Sequence, residues 1–254
     1  MSSALLSSAT SSAGARPGAG LSEDDPRFRV AAARRILARG GCESGVAGHV
    51  SLRADDGNSF WTSAFEYFDE TTPATVVRAD FDLQLIEGTS APSPAIEFHS
   101  AIYRSRSDVG AVIHIHSHWV STFVSGDGPI GMYNVGAVVF HEEQAMLVDD
   151  GTRPPVEGHR VVAALAGRSV VLSKNHGAIV VASTLETATV LALMLEQAAR
   201  YHIEAVAFGG TEIPVAEVVR GKASYHRYFV PEMWAANYRR LARTDSDLMA
   251  WLDT

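Results

Sequence analysis

Residues 111–116 read Ala-Val-Ile-His-Ile-His, a short run rich in β-branched side chains that predicts a buried strand. Residues two apart on a strand point to the same face, so His114 and His116 would present their imidazoles side by side. Two neutral imidazoles at this spacing can share a divalent cation. Because the flanking residues are apolar and a buried, unpartnered histidine pair is costly, the pattern favours metal ligation over a solvated strand face.

Two further histidines are candidates for the same site. His118 has the same parity as the first pair, and it points the same way only if the strand continues through it. His176 lies in the turn between two apolar runs, residues 169–173 and 178–182, that predict a β-hairpin. Gly177 follows it, and a glycine there lets the backbone approach a ligand closely. Three histidine ligands would leave coordination positions open, as a catalytic metal centre requires.

The rest of the chain predicts helices separated by short strands. Asp25 is a suitable cap for a helix that begins at Pro26, and Gly40 ends that helix. The dipeptide Asp56-Gly57 is a strong hairpin signal. Hairpin strands mixed with helices predict one α/β domain with a mixed, largely antiparallel sheet. The other predicted elements are strands at 46–53 and 58–63, helices at 94–106 and from the capping box 183–186 to about 208, and a largely helical segment at 216–254.

The composition is that of an ordinary globular protein, with 46% hydrophobic and 20% charged residues among 254. The net charge of −8 argues against nucleic-acid binding, which usually needs a basic face. No apolar run approaches the ~20 residues that span a bilayer, so we expect no membrane segment. The Ser/Ala/Gly-rich residues 1–21 predict a disordered tail without a secretory signal, ahead of a single domain at 22–254. One cysteine excludes an intramolecular disulfide, and we expect a cytoplasmic protein.

Four blocks of sequence carry a family resemblance through their order and spacing. They are Gly45–Arg53, Phe98–Tyr103 with Arg106, Asp108 and Val109, His114-x-His116, and Lys174–Gly177. Together they resemble the class II aldolase/adducin family over roughly residues 27–230. The resemblance implies a three-layer α/β/α fold and usually a homotetramer with sites at subunit interfaces. It also implies that His114, His116 and His176 hold one divalent metal ion, which is zinc or an alternative such as Fe(II) or Mn(II).

One departure from this family concerns proton transfer. Aldolases and epimerases of the family carry an acidic residue four positions before the equivalent of His99, and this chain has Ala95 there. Alanine cannot transfer a proton. Glu97 could substitute through an altered register, and Tyr133 lies near where the aldolases supply a tyrosine to a neighbouring subunit. Glu97 and Tyr133 are therefore the candidate catalytic residues, against the alternatives of an exposed helix carboxylate and a structural interface tyrosine.

A second departure concerns phosphate binding. Where sugar-phosphate members have Gly-Asn, Ser-Gly and Ser-Ser pairs, this chain carries His49, Ala64 and Pro94 as the second residue. These changes remove an amide, a glycine and a hydroxyl, which phosphate recognition uses as donors and for close backbone approach. We therefore predict a small, non-phosphorylated acid as substrate, with His49, Ser63 and Ser93 among its binding residues.

An aromatic cluster occupies the same region of the sequence, at Trp61, Phe65, Tyr67 and Phe68. Such rings can receive a flat, apolar substrate, and they equally suit an ordinary core. We take Trp61 and Phe65 as candidate substrate-binding residues, and the cluster favours an aromatic acid.

Three functions are compatible with these features. The first is a metal-dependent lyase of decarboxylase or aldolase type, which cleaves a C–C bond next to a carbonyl or carboxylate while the metal stabilises negative charge. The second is a non-haem Fe(II) oxygenase that oxidatively decarboxylates an aromatic 2-oxo acid, like the family's prenylated hydroxyphenylpyruvate oxygenases. The third is a non-catalytic adducin-like module, which the retained histidines disfavour. We predict the lyase and keep the other two as alternatives.

Overall fold

The computed structural model of the protein describes residues 20–43, 45–93, 95–148 and 157–252. Within these ranges the strands are β1 (His49–Arg53), β2 (Ser59–Ser63), β3 (Val76–Asp80), β4 (Leu85–Glu87), β5 (Ala111–Ile115), β6 (Gln144–Leu147), β7 (Val170–Ser173) and β8 (Gly177–Ala182). They form one sheet in the order β4-β3-β2-β1-β5-β8-β7-β6. Neighbouring strands are antiparallel except β6 and β7, so the sheet is mixed and largely antiparallel, as predicted.

The helices differ widely in length. They are α1 (Pro26–Arg39), α2 (Glu97–Ser105), α3 (His118–Phe123), α4 (Gly158–Leu165), α5 (Leu185–Ala207), α6 (Val215–Ser224), α7 (Val230–Thr244) and α8 (Ser246–Met249). A short 3₁₀ helix spans Val135–Phe140, and a π-helical segment, Tyr225–Phe229, joins α6 to α7. In the part of the chain that the structure describes, no helix is long and apolar enough to span a membrane.

Helices cover both faces of the sheet. On one face, α1 and α5 pack over Val50 of β1 and Ile113 of β5, with Leu37 among the buried residues of this core. On the other face, α2 and α4 pack over Val112, and Ile102 of α2 belongs to this second core. Alternate residues of β5 thus supply the two cores, whereas β1 contributes to the first core only. This arrangement confirms the predicted three-layer α/β/α fold.

Several elements begin where the sequence predicts. The side chain of Asp25 caps α1, which starts at the predicted proline. The turn at Asp56-Gly57 joins β1 to β2, and its glycine adopts a positive φ of 71°. The helix α5 is capped by Thr184, one residue later than the predicted cap at Ser183.

Other elements depart from the prediction. Helix α2 begins at Glu97, three residues after the predicted start, so Ala95 lies outside the helix. Four elements are not evident from the sequence, namely the strands β3, β4 and β6 and the helix α4. Each is short, and the three strands lie at or near an edge of the sheet, so their sequences carry little hydrophobic periodicity. Of the predicted tail, residues 1–19 lie outside the described residues. Leu21 instead forms a bridge with Leu252 and contacts the core.

Candidate metal centre

Three histidine side chains converge at one end of the central strands. His114 lies on β5, His116 follows that strand by one residue, and His176 lies in the turn before β8. One ring nitrogen from each lies within 4.8 Å of those of the other two. The Nε2 atoms of His114 and His176 are 3.2 Å apart. The structure therefore brings together the three residues that the sequence predicts as metal ligands.

A hydrogen bond to the backbone fixes which nitrogen of His114 faces the centre. Its Nδ1 lies 2.9 Å from the carbonyl oxygen of Ala178 on the neighbouring strand β8. A carbonyl oxygen only accepts, so Nδ1 carries the proton and Nε2 keeps its lone pair. Metal-binding histidines are commonly oriented by a bond of this kind from the second ring nitrogen.

Burial keeps these rings neutral. Removal from water lowers the pKa of His114 well below its ordinary value and the pKa of His116 to about 4, and neighbouring histidines lower both further. Burial also lowers the pKa of His176. Neutral imidazoles offer lone pairs to a cation and carry no charge that would repel it.

The donor set fits a divalent ion. Ligand nitrogens in a tetrahedral site with Zn–N bonds of about 2.0–2.1 Å lie about 3.4 Å apart. The two Nε2 atoms of His114 and His176, at 3.2 Å, come close to that separation. Among the described residues, no aspartate or glutamate joins the group. Three imidazoles suit zinc and related borderline metals, whereas the commoner non-haem iron site includes a carboxylate.

The turn that carries His176 depends on two special backbone positions. Asn175 adopts a left-handed conformation with a φ of 55°. A Cβ atom added to Gly177 would lie 2.3 Å from the carbonyl oxygen of Ile115, which no neighbouring backbone could tolerate. Only glycine therefore lets β8 approach the end of β5 closely enough to bring its histidine to the centre.

A buried network of hydrogen bonds lies beside the centre. Ser51 Oγ is 2.7 Å from His99 Nδ1 and 2.7 Å from the Tyr103 hydroxyl. The ring of His49 connects this network to the centre, with its centroid 5.5 Å from that of His99 and 5.6 Å from that of His114. His99 is completely buried, and its Nε2 has no hydrogen-bond partner among the described residues. Buried polar atoms without a partner are uncommon in native structures, and a catalytic role is one of the recognised reasons for them.

Two groups around the centre were not among the residues predicted from sequence, and they are Ser51 with His99 and Tyr103, and Glu196. The sequence carries a signal for the first group. Residues 49, 51 and 53 of β1 are all polar, and polar residues at every second position of a strand indicate a polar network on one face of the sheet. Tyr103 follows His99 by one helical turn, which places both on the same side of α2. Glu196 is buried in helix α5 and is the only charged residue between Glu186 and Arg200, and a single charge within such an apolar stretch is itself a signal.

Three predicted substrate-binding residues lie on adjoining segments. His49 Nε2 is 2.7 Å from Ser93 Oγ, and both side chains are buried. Ala64, which follows Ser63, forms a bridge with Pro92, so the end of β2 runs beside the segment that carries Ser93. Burial lowers the pKa of His49 to about 3, which leaves an uncharged ring at the position where sugar-phosphate members have asparagine.

The aromatic cluster divides into buried and exposed parts. Trp61 is only 9% exposed and pairs with Leu52 across β1 and β2, so its ring lies on the sheet face opposite to His114. Phe65 and Tyr67 are exposed, by 51% and 47% respectively. The structure thus does not bring Trp61 to the centre, whereas Phe65 stays available to a ligand.

The other predicted residues also have identifiable neighbours. The Glu97 carboxylate accepts from the backbone amide of Gly158 at 3.0 Å, at the start of α4. Tyr133 packs against His202 with a centroid distance of 4.8 Å. His118 is exposed, and neither it nor Glu97 joins the histidine group. The catalytic roles of Glu97 and Tyr133 stay predictions.

Comparison with known proteins points to one family. A profile of the family described as Class II Aldolase and Adducin N-terminal domain matches residues 28–203. Two Streptomyces relatives are each 31% identical over 202 residues. One is 4-hydroxy-3-prenylphenylpyruvate oxygenase/4-hydroxy-3-prenylbenzoate synthase of Streptomyces roseochromogenus subsp. oscitans, with 76% of this chain and 73% of the relative covered. The other is Decarboxylase NovR of Streptomyces niveus, with 76% and 74% covered.

A solved structure shares the fold over most of the chain. L-fuculose 1-phosphate aldolase from Glaciozyma antarctica PI12 superposes with a TM-score of 0.80, covering 90% of this chain and 92% of its own. The two are 22% identical, so this likeness concerns the three-layer fold alone.

Proposed function

This chain belongs to the class II aldolase and adducin family, and we propose that it is a metal-dependent carbon–carbon lyase that acts on a small, non-phosphorylated acid. The observation that carries this proposal is the convergence of His114, His116 and His176 as neutral donors within 4.8 Å. A divalent ion bound there supplies positive charge that stabilises the electron pair left on the substrate when a C–C bond breaks.

Within this class, we favour decarboxylation over aldol cleavage. The family's aldol chemistry uses an acidic residue at the position of Ala95, and alanine cannot transfer a proton. In decarboxylation the bond to the carboxylate breaks, CO₂ leaves, and the electron pair stays on the substrate carbon, which then takes up a proton. This reaction needs no base at residue 95. Decarboxylase NovR, one of the relatives at 31% identity, supports the choice.

We assign binding of the acid to the side chains next to the histidines. His49 and Ser93 form a hydrogen-bonded pair on the same sheet face as His114, and their remaining donor and acceptor capacity would orient substrate oxygens. Ser63 lies on the adjoining segment, but its side chain is on the sheet face opposite to His114, so we assign it no direct contact with the acid. The exposed ring of Phe65 would cover an apolar or aromatic part of the acid. An uncharged His49 fits a substrate without a phosphate, because phosphate sites usually supply positive charge or several amide donors.

The source of the final proton is assigned to a second subunit. We propose a homotetramer in which Tyr133 of one chain faces the metal centre of the next. Within its own chain Tyr133 packs against His202, on a segment separate from the three histidines. A phenol hydroxyl can donate a proton to a carbanion, which is the step that decarboxylation still requires after CO₂ has left.

Metal analysis after anaerobic purification, followed by assays on 2-oxo and aromatic acids with and without O₂, tests the lyase. We expect one divalent ion per chain and release of CO₂ without a need for oxygen. A chelator should abolish turnover, and the metal should restore it. A chain that binds no metal, or turnover that survives metal removal, contradicts the proposal and favours the adducin-like module.

The oxygenase is the second candidate because the other 31% identical relative is named as an oxygenase. If turnover in the same assays strictly requires both Fe(II) and O₂, the protein is an oxygenase and not a lyase. We rank it second because, among the described residues, no carboxylate joins the three histidines. The commoner Fe(II) site includes one.

Glu97→Gln tests whether this carboxylate transfers a proton. We expect the rate to change by less than about tenfold, because a carboxamide at this position would still accept from the Gly158 amide, as the Glu97 carboxylate does at 3.0 Å. Loss of a general acid or base costs about 10²–10⁴-fold, so a drop of that size would restore Glu97 as a catalytic residue. Glu97→Ala is the matched variant, and urea unfolding should show a loss of about 1 kcal/mol from an unsatisfied helix start.

A further inference from the structure

Glu196 lies on the sheet face opposite to His49 and His114. It lies on α5 with only 6% of its surface exposed. Its carboxylate accepts three hydrogen bonds, from Ser117 Oγ at 2.6 Å, from the Trp119 amide at 2.9 Å and from the Val120 amide at 2.9 Å. Burying a carboxylate costs free energy unless its oxygens accept hydrogen bonds, and these three bonds meet that requirement.

The three donors lie within four residues after His116, at positions 117, 119 and 120. His116 lies beyond the last residue of β5, Ile115, so strand alternation does not by itself fix the direction of its ring. On one side the backbone is held by the pairing of Ile115 with Ala178. On the other side it is held by Ser117, whose hydroxyl donates to Glu196. The position of His116 therefore depends on both attachments.

Helix α5 also follows β8, the strand that begins immediately after His176. Only two residues separate β8 from α5, and Thr184 caps the helix start. Both α3 and β5 pack against α5. Helix α5 is thus linked to both segments. It is linked to the His176 segment by β8, which precedes it in the chain, and to the His116 segment by the hydrogen bonds of Glu196.

We propose that Glu196 is a positioning residue for the metal centre, because its carboxylate holds the Ser117–Val120 backbone and thereby sets the direction of the His116 ring. This inference rests on the metal site of the proposed function. Glu196 does not belong to the group of candidate ligands, so it acts through the backbone. Groups that orient a ligand typically change metal affinity by about 10–100-fold when they are removed.

Glu196→Gln is the decisive variant. A carboxamide has the same size but only one acceptor oxygen, so at least one of the three bonds is lost. We expect the dissociation constant for Zn²⁺, measured by competition with a chromophoric chelator, to rise about 10–100-fold. The visible spectrum of the Co²⁺-substituted protein should change as well, because it reports the arrangement of the ligands.

Glu186→Gln is the matched control on the same helix. It removes the carboxylate that pairs with Arg29 at 2.8 Å, far from the donors after His116. We expect a smaller change in the unfolding midpoint, because this ion pair is partly exposed, with Zn²⁺ affinity and the Co²⁺ spectrum unaltered. If Glu196→Gln fails to fold, Ser117→Ala removes only the 2.6 Å bond and should weaken Zn²⁺ binding several-fold.

The outcomes separate this inference from the proposed function. Weaker Zn²⁺ binding and an altered Co²⁺ spectrum in Glu196→Gln or Ser117→Ala, but not in Glu186→Gln, support the positioning role. Wild-type affinity and spectrum in both Glu196→Gln and Ser117→Ala overturn it and leave the lyase intact. A wild-type chain that binds no divalent metal overturns the proposed function, and the positioning role with it.

Discussion

His114→Asn is expected to abolish metal binding while the chain stays folded. The asparagine amide can reach the position of Nδ1 and still donate to the Ala178 carbonyl, which lies 2.9 Å from Nδ1 in the structure. It cannot replace Nε2, which lies 3.2 Å from Nε2 of His176 and is the atom that faces the centre. The substitution therefore separates ligation from the structural hydrogen bond.

The expected loss of activity is on the order of 10³-fold or more. Charge stabilisation by a metal contributes several kcal/mol, and each 1.4 kcal/mol changes a rate about tenfold. Removing a residue that only orients a ligand lowers metal affinity by up to about 100-fold. Here a ligand itself is removed, so metal affinity should fall by more than that. Elemental analysis of the purified variant and the CO₂-release assay measure the two effects.

His118→Asn is the matched control for this prediction. His118 belongs to the same segment, is exposed and lies outside the histidine group. The same chemical change there should leave one metal ion per chain and a rate close to that of the wild type. If His114→Asn also keeps its metal and its rate, the three histidines are not the functional centre.

Local patterns predict the metal ligands because their geometry is local. The direction of His114 follows from strand alternation, His116 lies one residue beyond β5, and the turn around His176 follows from residues adjacent in sequence. The place of Trp61 could not be derived in the same way, since the face it occupies depends on the register between β1 and β2. Glu196 is 76 residues from one of its donors, Val120, and only the packing of α5 brings them together.

The fold was predictable to a similar extent and for the same reason. Hairpins with a clear turn, such as Asp56-Gly57, and the long apolar helix α5 carry strong periodic signals. The edge strands β4 and β6 have three and four residues and are recognisable only from their neighbours in the sheet. The three-layer arrangement came from the family resemblance, because the residues alone indicated only an α/β domain with a mixed sheet.

Acid should unfold the metal-free protein unusually steeply. His49, His99 and His114 are at most 3% exposed, and burial lowers the pKa of each below its ordinary value. In the unfolded chain these rings bind protons below about pH 6.5, whereas in the folded chain they stay neutral. The unfolded state therefore binds more protons, and stability falls as the pH falls below about 6.5.

The slope of this loss is the measurable quantity. Each ring that is neutral when folded and charged when unfolded contributes about 1.4 kcal/mol per pH unit, so three contribute about 4 kcal/mol per pH unit between roughly pH 6 and 5. Ser51 Oγ lies 2.7 Å from His99 Nδ1. His99→Asn removes one titrating ring and keeps a donor or acceptor near Ser51, so the slope should fall by about 1.4 kcal/mol per pH unit. The exposed His159 serves as the control, and His159→Asn should leave the slope unchanged. Urea unfolding of the chelator-treated protein at several pH values measures it, and a flat profile from about pH 7 to 5 would show that these histidines are protonated or solvated in the folded chain.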